Sequence, residues 1–142
     1  MSCVGIERGL LDTSTVIALP LLRSEQGLPG EPLISTITLA ELSVGPLVAT
    51  TDDERAARQS VLQQAESDFE PLPSDGPAAR PFGRVRSSLR QEAGRKPQAR
   101  AYDALIAAVA ISNELPVHTC NPADFAGITG LDVVAVPVPP RR

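Results

Sequence analysis

Residues 98–119, QARAYDALIAAVAISNELPVHT, decide the fold. Gln98 to Glu114 reads as one helix. It is apolar nearly all round, so it belongs inside the molecule, against a sheet. Asp103 is the only charge in the eleven residues from Ala101 to Ile111. Val117-His118-Thr119 follows as a short buried strand. A buried helix leading into a strand of this kind is the unit from which parallel sheets are built.

The same alternation runs through the rest of the chain. Gly9-Leu10-Leu11 reads as a strand ending at Asp12, and Ser14 can cap a helix that lasts until Pro20 bends or stops it. Leu33-Ile34-Ser35 reads as a second strand and Ile37 to Val48 as a helix. Thr51-Asp52-Asp53-Glu54 has the form of a capping box and opens a helix to about Ser67. Phe69 to Leu72 suggests a brief strand, Gly76-Pro77 a turn, and Pro81 the first turn of a helix continuing towards Gly94. Pro122 to Ala126 reads as a helical turn, Val133 to Val136 as a last strand, and 137–142 as an extended tail of prolines and arginines. The expected architecture is α/β, a parallel sheet with helices on both faces, in one domain spanning 1–142.

Composition narrows the function. A chain of 142 residues with 42% hydrophobic content can bury a core. Cys3 and Cys120, the only cysteines, have neither zinc-ligand spacing nor a partner framework, which suits reduced cytosolic thiols. No signal peptide is evident and no apolar stretch is long enough to cross a bilayer, so a cytoplasmic, membrane-free protein is expected. The net charge of −4 argues against nucleic acid, but the charge is uneven. Seven bases and one acid between Arg80 and Arg100 make that segment +6 and leave −10 for the remainder. The segment is either a solvated helix face or a strip that binds phosphate, with Arg86 and Arg90 as candidate contacts.

Four acids stand out. Asp12, Glu41, Asp103 and Asp124 sit in apolar or neutral surroundings, where a carboxylate is costly unless paired or bound to a metal. Ligand sites in open parallel sheets form at the carboxyl ends of strands, and the four fall at or near such ends. Brought together, they would hold a divalent cation through oxygen ligands. Each also has a local explanation. Asp12 can cap the following helix, Glu41 completes the capping box Thr38-Leu39-Ala40-Glu41, and Asp103 is favoured by the helix dipole. Asn121 and Asp124 fit a cap and a third position. His118 reads as structural, and no Gly-rich phosphate loop is present.

Taken in order, Leu10-Leu11-Asp12-Thr13-Ser14, Thr38-Leu39-Ala40-Glu41-Leu42, Tyr102-Asp103-Ala104-Leu105-Ile106-Ala107-Ala108 and Thr119-Cys120-Asn121-Pro122-Ala123-Asp124-Phe125 resemble the motifs of PIN-domain ribonucleases. The likeness is to VapC toxins of bacterial type II toxin–antitoxin modules. It implies a PIN-like three-layer α/β/α fold with a short, mainly parallel central sheet. It implies an endoribonuclease dependent on Mg²⁺ or Mn²⁺ that cuts structured RNA such as a tRNA or rRNA loop. It also implies a homodimer inhibited by a cognate antitoxin. By position, Asp12, Glu41, Asp103 and Asp124 match the family's catalytic acids, Asp12 and Asp103 its metal ligands, and Ser14 and Asn121 its supporting polar residues. The chain departs at Cys120, where a basic residue often precedes the Asn. Two rivals are a non-catalytic PIN-like protein-binding module and a receiver-like phosphoacceptor. The latter would want a second acid near Asp12 and a Lys ending a late strand, but Lys96 lies elsewhere.

Overall fold

Leu10 and Leu11 are adjacent in one strand and both fully buried, which places them on opposite faces of a sheet covered on both sides. The structure, a computed structural model, describes residues 7–22, 26–89 and 97–138. Strand β1 (Arg8–Leu11) leads into α1 (Thr13–Ala18) and a 3-10 turn (Leu19–Leu21) containing Pro20. Then come β2 (Glu31–Leu33), α2 (Thr36–Val48), α3 (Asp52–Asp68), α4 (Gly76–Leu89) and α5 (Pro97–Ser112). The chain continues through β3 (Val117–Thr119), a second 3-10 turn (Pro122–Phe125) and β4 (Val133–Ala135).

The four strands form one parallel sheet in the order β2-β1-β3-β4. Leu10 faces a core built with Val85 of α4 and Ala104, Ala107 and Val109 of α5. Leu11 faces a second core with Val16 of α1, Leu42 of α2 and Ala65 of α3. The result is the expected three-layer α/β/α arrangement. Helix α5 is buried along Ala104 and from Ile106 to Ala110, as its uniform apolar composition requires.

Three elements differ from the sequence expectation. The second strand lies two residues earlier, pairing Arg8 with Glu31, Gly9 with Pro32 and Leu10 with Leu33. Ile34 to Thr36 turn to Leu72 instead: the Leu72 N–H donates to the Ile34 carbonyl and the Thr36 N–H to the Leu72 carbonyl, each at 2.9 Å. One residue's worth of pairing makes a bridge, so the brief strand expected at Phe69–Leu72 does not form. Helix α4 starts at Gly76, ahead of Pro81. Pro77 then falls at the second helical position, where its missing N–H has no intrahelical partner to lose. The Asp75 carboxylate caps that end by accepting the Ala78 N–H at 3.1 Å. Pro81 lies inside the helix at the cost of one backbone bond. The end expected near Gly94 lies outside the described residues.

His118 is structural. It sits in the interior strand β3, buried, with Nδ1 2.5 Å from the Gly27 carbonyl oxygen.

Candidate active site

Asp12 is the first residue past β1, and the register decides what it meets. Leu11 pairs with His118, so the next positions along the two strands are Asp12 and Thr119, at the carboxyl edge of the sheet. Asp12 caps α1, its Oδ1 accepting the Thr15 N–H at 3.2 Å and the Thr15 hydroxyl at 2.5 Å. Its Oδ2 accepts the Thr119 hydroxyl at 2.8 Å and the Ser14 hydroxyl at 3.0 Å. Cap and site were alternatives in the sequence; here one carboxylate serves as cap and also lines a cleft. Four hydrogen bonds match its acceptor capacity and fix it in a buried position.

The threonines around it are fully committed as well. The single Thr15 hydroxyl proton goes to Asp12, and its oxygen accepts the Cys120 N–H at 3.0 Å. Thr119 Oγ1 likewise accepts the Asn121 N–H at 2.9 Å. The last strand residue and the loop after it are thereby tied to the first strand's carboxylate.

Glu41 is not part of a capping box. The cap of α2 is Ser35, whose Oγ accepts the Thr38 N–H at 3.3 Å. That puts Glu41 in the second turn, pointing towards α1. Its Oε1 lies 2.7 Å from Thr13 Oγ1, which is 3.1 Å from Thr38 Oγ1. Thr13 has one proton to give, and the carboxylate is the stronger acceptor, so Thr38 donates to Thr13 and Thr13 to Glu41. Burial pushes the Glu41 carboxyl above the usual range; the Thr13 bond opposes this and the negative charge of Asp12 adds to it. Burial also raises the Cys120 thiol, against the Thr15 bond and with the Asp12 charge.

Asp103, on α5, and Asp124, in the 3-10 turn Pro122–Phe125, are both half-buried. The four acids line one cleft of about 240 Å³, together with the hydroxyl-bearing Thr13 and Ser14. Asn121 stands apart: it is exposed, and its side chain makes no capping bond to the turn it precedes. Arg86, half-buried on α4, is not among the residues lining the cleft, and Arg90 lies outside the described residues. Arg100 is only 5% exposed, so it is not part of a solvated face.

Among the described residues, no group of three or more His, Cys, Asp or Glu side chains is gathered closely enough to hold a metal ion. The donor chemistry nonetheless fits a hard cation. Mg²⁺ keeps several waters and takes one or two carboxylates, so an open cleft of carboxylates suits it better than a cage. Of the four donors to Asp12, Thr15 and Thr119 are fully buried behind it, and Ser14 alone lies on the cleft side. The buried donors fix the carboxylate, and a cation reaching it from the cleft would take the position that the Ser14 hydroxyl fills.

Sequence reasoning missed Thr13, Thr15, Thr38 and Thr119. Threonine is ordinary at caps and in strands, so nothing local marks these four.

A model of the PIN domain matches residues 10–129 of the chain. Ribonuclease VapC5 of Mycobacterium tuberculosis is 43% identical over 130 residues, covering 90% of this chain and 93% of that one. Ribonuclease VapC4 of the same organism is 30% identical over 135 residues, covering 94% and 100%. Among solved structures, VapBC-5 of Mycobacterium tuberculosis, described as a member of the VapBC family of toxin–antitoxin systems, superposes with a TM-score of 0.75 at 40% identity. The match covers 91% of this chain and 98% of that one. DNA-bound VapBC from Salmonella typhimurium gives 0.68 at 28% identity, covering 91% and 97%. The chain therefore belongs to the PIN-domain family, among its VapC ribonucleases.

Proposed function

We propose that the whole chain, 1–142, is one PIN domain acting as a metal-dependent endoribonuclease, the toxin of a toxin–antitoxin pair. The proposed substrate is structured RNA such as a tRNA or rRNA loop. The observation that carries the reading is the single cleft lined by Asp12, Glu41, Asp103 and Asp124, with Asp12 locked by four hydrogen bonds. Asp12 and Asp103 are the proposed ligands of Mg²⁺, or of Mn²⁺. A cation bound there would make a water acidic enough to attack and would offset charge on the scissile phosphate. The protein's own contribution is placement. Thr15 and Thr119 fix Asp12, Ser14 meets it from the cleft side, and the Thr38–Thr13 pair orients Glu41 towards the cleft. Glu41, whose carboxyl is raised, is suited to accept a proton from an attacking water.

The named relatives support the ribonuclease chemistry, and the VapBC neighbours support an antitoxin partner. Val44, Leu47 and Val48 are exposed along α2, which supports a protein contact there, with the antitoxin or with a second copy in a homodimer. Arg80 and Arg84 are exposed on α4 and, with Arg86, can meet RNA phosphate. Among the described residues no helix is long and apolar enough to cross a membrane, and the proposed site of action is the cytoplasm.

The test is incubation of purified protein with total RNA, with Mg²⁺ and with chelator, followed by mapping of new ends. Asp12→Asn and Asp103→Asn keep size and remove charge, so each folded variant should lose cleavage. A folded Asp103→Asn enzyme with full activity would sink the assignment. Binding of antitoxin and RNA without metal-dependent cleavage would make the protein a non-catalytic binding module.

A further inference from the structure

The carboxylate cleft adjoins a larger hollow of about 440 Å³ between α1, α2 and α3. Thr13, Ile17 and Glu41 are walls of both. The rest of the hollow is aliphatic, from Leu42, Ala57 and Val61, apart from Arg58 on the part the cleft does not share. Arg58 is exposed, and its Nη1 donates to the Gly45 carbonyl at 3.1 Å. Glycine at position 45 makes this possible, since a Cβ there would lie 3.3 Å from Arg58 Cδ and 3.4 Å from its Cβ. One guanidinium N–H is used and others remain for a ligand.

Aliphatic walls with a few fixed polar groups suit a flat ring with a polar edge. An arginine fork matches best a base edge with two acceptors, which guanine presents. We infer that this hollow is a subsite for an unpaired nucleobase next to the scissile phosphate, with guanine the preferred base and Arg58 reading its edge. The inference takes its substrate from the ribonuclease reading. A hydrophobic side chain of a bound protein would also find the walls congenial. The wall shared with the cleft and the guanidinium on the hollow's far side favour the base, because a nucleotide joined to a phosphate in the cleft has to lie in the space beside it.

The test follows the methyl resonances of Leu42 and Val61, which line the hollow and not the carboxylate cleft. The probes are the four nucleoside 5′-monophosphates in the presence of Mg²⁺, with ribose 5-phosphate as the base-free control. The methyls should move with the nucleotides, most with guanosine monophosphate, and stay still with ribose 5-phosphate. Ala57→Phe, which fills the hollow from an exposed position on α3, should abolish the shifts. In cleavage of oligonucleotides differing only beside the cut, guanine should be preferred by about tenfold or more, and Arg58→Ala should erase that preference. Methyls that ignore every nucleotide, or answer equally to ribose 5-phosphate, overturn the inference whether or not RNA is cut. Methyls that answer only to the antitoxin make the hollow a protein groove and overturn it too. Nucleotide-driven shifts without any RNA cleavage would leave the base site standing and strike at the ribonuclease reading alone.

Discussion

At the scale of single residues, the site depends on hydroxyls as much as on carboxylates. Thr119 is the clearest case, because its oxygen gives a proton to Asp12 and takes one from the Asn121 amide. Thr119→Val keeps the shape and removes both bonds. It leaves a buried carboxylate oxygen one donor short, which costs about 1–3 kcal/mol. The melting temperature should fall by about 2–4 °C for each kcal/mol lost. RNA cleavage should fall further than stability accounts for, since Asp12 is freed to turn. Thr119→Ser retains the hydroxyl and should recover most of both. Thermal melts and single-turnover cleavage of the two variants decide it: a Val variant cutting at the wild-type rate would show that the Asp12 bond has no part in the chemistry.

At the scale of elements, the sheet is governed by how closely β1 and β3 approach. A Cβ on Gly9 would fall 2.3 Å from His118 Cδ2 and 2.4 Å from its Nε2. His118 is buried in β3 and tied to Gly27, so it has little room to yield. Gly9→Ala should therefore destabilise by roughly 1–3 kcal/mol or more through overpacking, opposite to the usual small gain from replacing a strand glycine. A chemical-denaturation midpoint unchanged by Gly9→Ala would mean that the strands can separate there at no cost. This pair also shows what the sequence could reveal. Val117-His118-Thr119 was legible as a short run with β-branched residues at both ends, between the end of a helix and a loop. Leu10-Leu11 was legible as a strand because an interior strand, covered on both faces, can be apolar at successive positions. Helix α5 was legible for the same reason. Glu31-Pro32-Leu33 was not, because an edge strand of three residues carries no such pattern and its limits are set by pairing with β1. The acids were legible because a charge is conspicuous in apolar sequence. That Glu41 belongs to Thr13, rather than to a cap, depends on where α1 and α2 meet, and no spacing within either helix encodes it.

At the scale of the whole molecule, the cleft sets stability against function, and pH separates the two. The folded-state pKa of Glu41 is raised above its ordinary value of 4.5 by burial and by Asp12. A carboxyl raised on folding favours the folded state while it is protonated. It subtracts stability as pH climbs past 4.5, and the loss levels off above the folded-state pKa. The metal-free protein should thus lose part of its stability between mildly acid and neutral pH, and Glu41→Gln should lose less of it. A bound divalent cation should reverse the loss, by about 2.7 kcal/mol at a hundredfold excess over its dissociation constant. Asp103→Asn removes a proposed ligand together with one negative charge of the cleft. It should gain little from Mg²⁺. The measurement is a set of thermal melts of wild type, Glu41→Gln and Asp103→Asn, in chelator and in millimolar-range Mg²⁺, at pH values on either side of the transition. The expected pattern is a wild type that gains from metal at neutral pH, and an Asp103→Asn variant that gains almost nothing. Wild-type melts that coincide with and without metal at neutral pH would show that these carboxylates hold no cation, and metal-dependent cleavage would have to be given up with it.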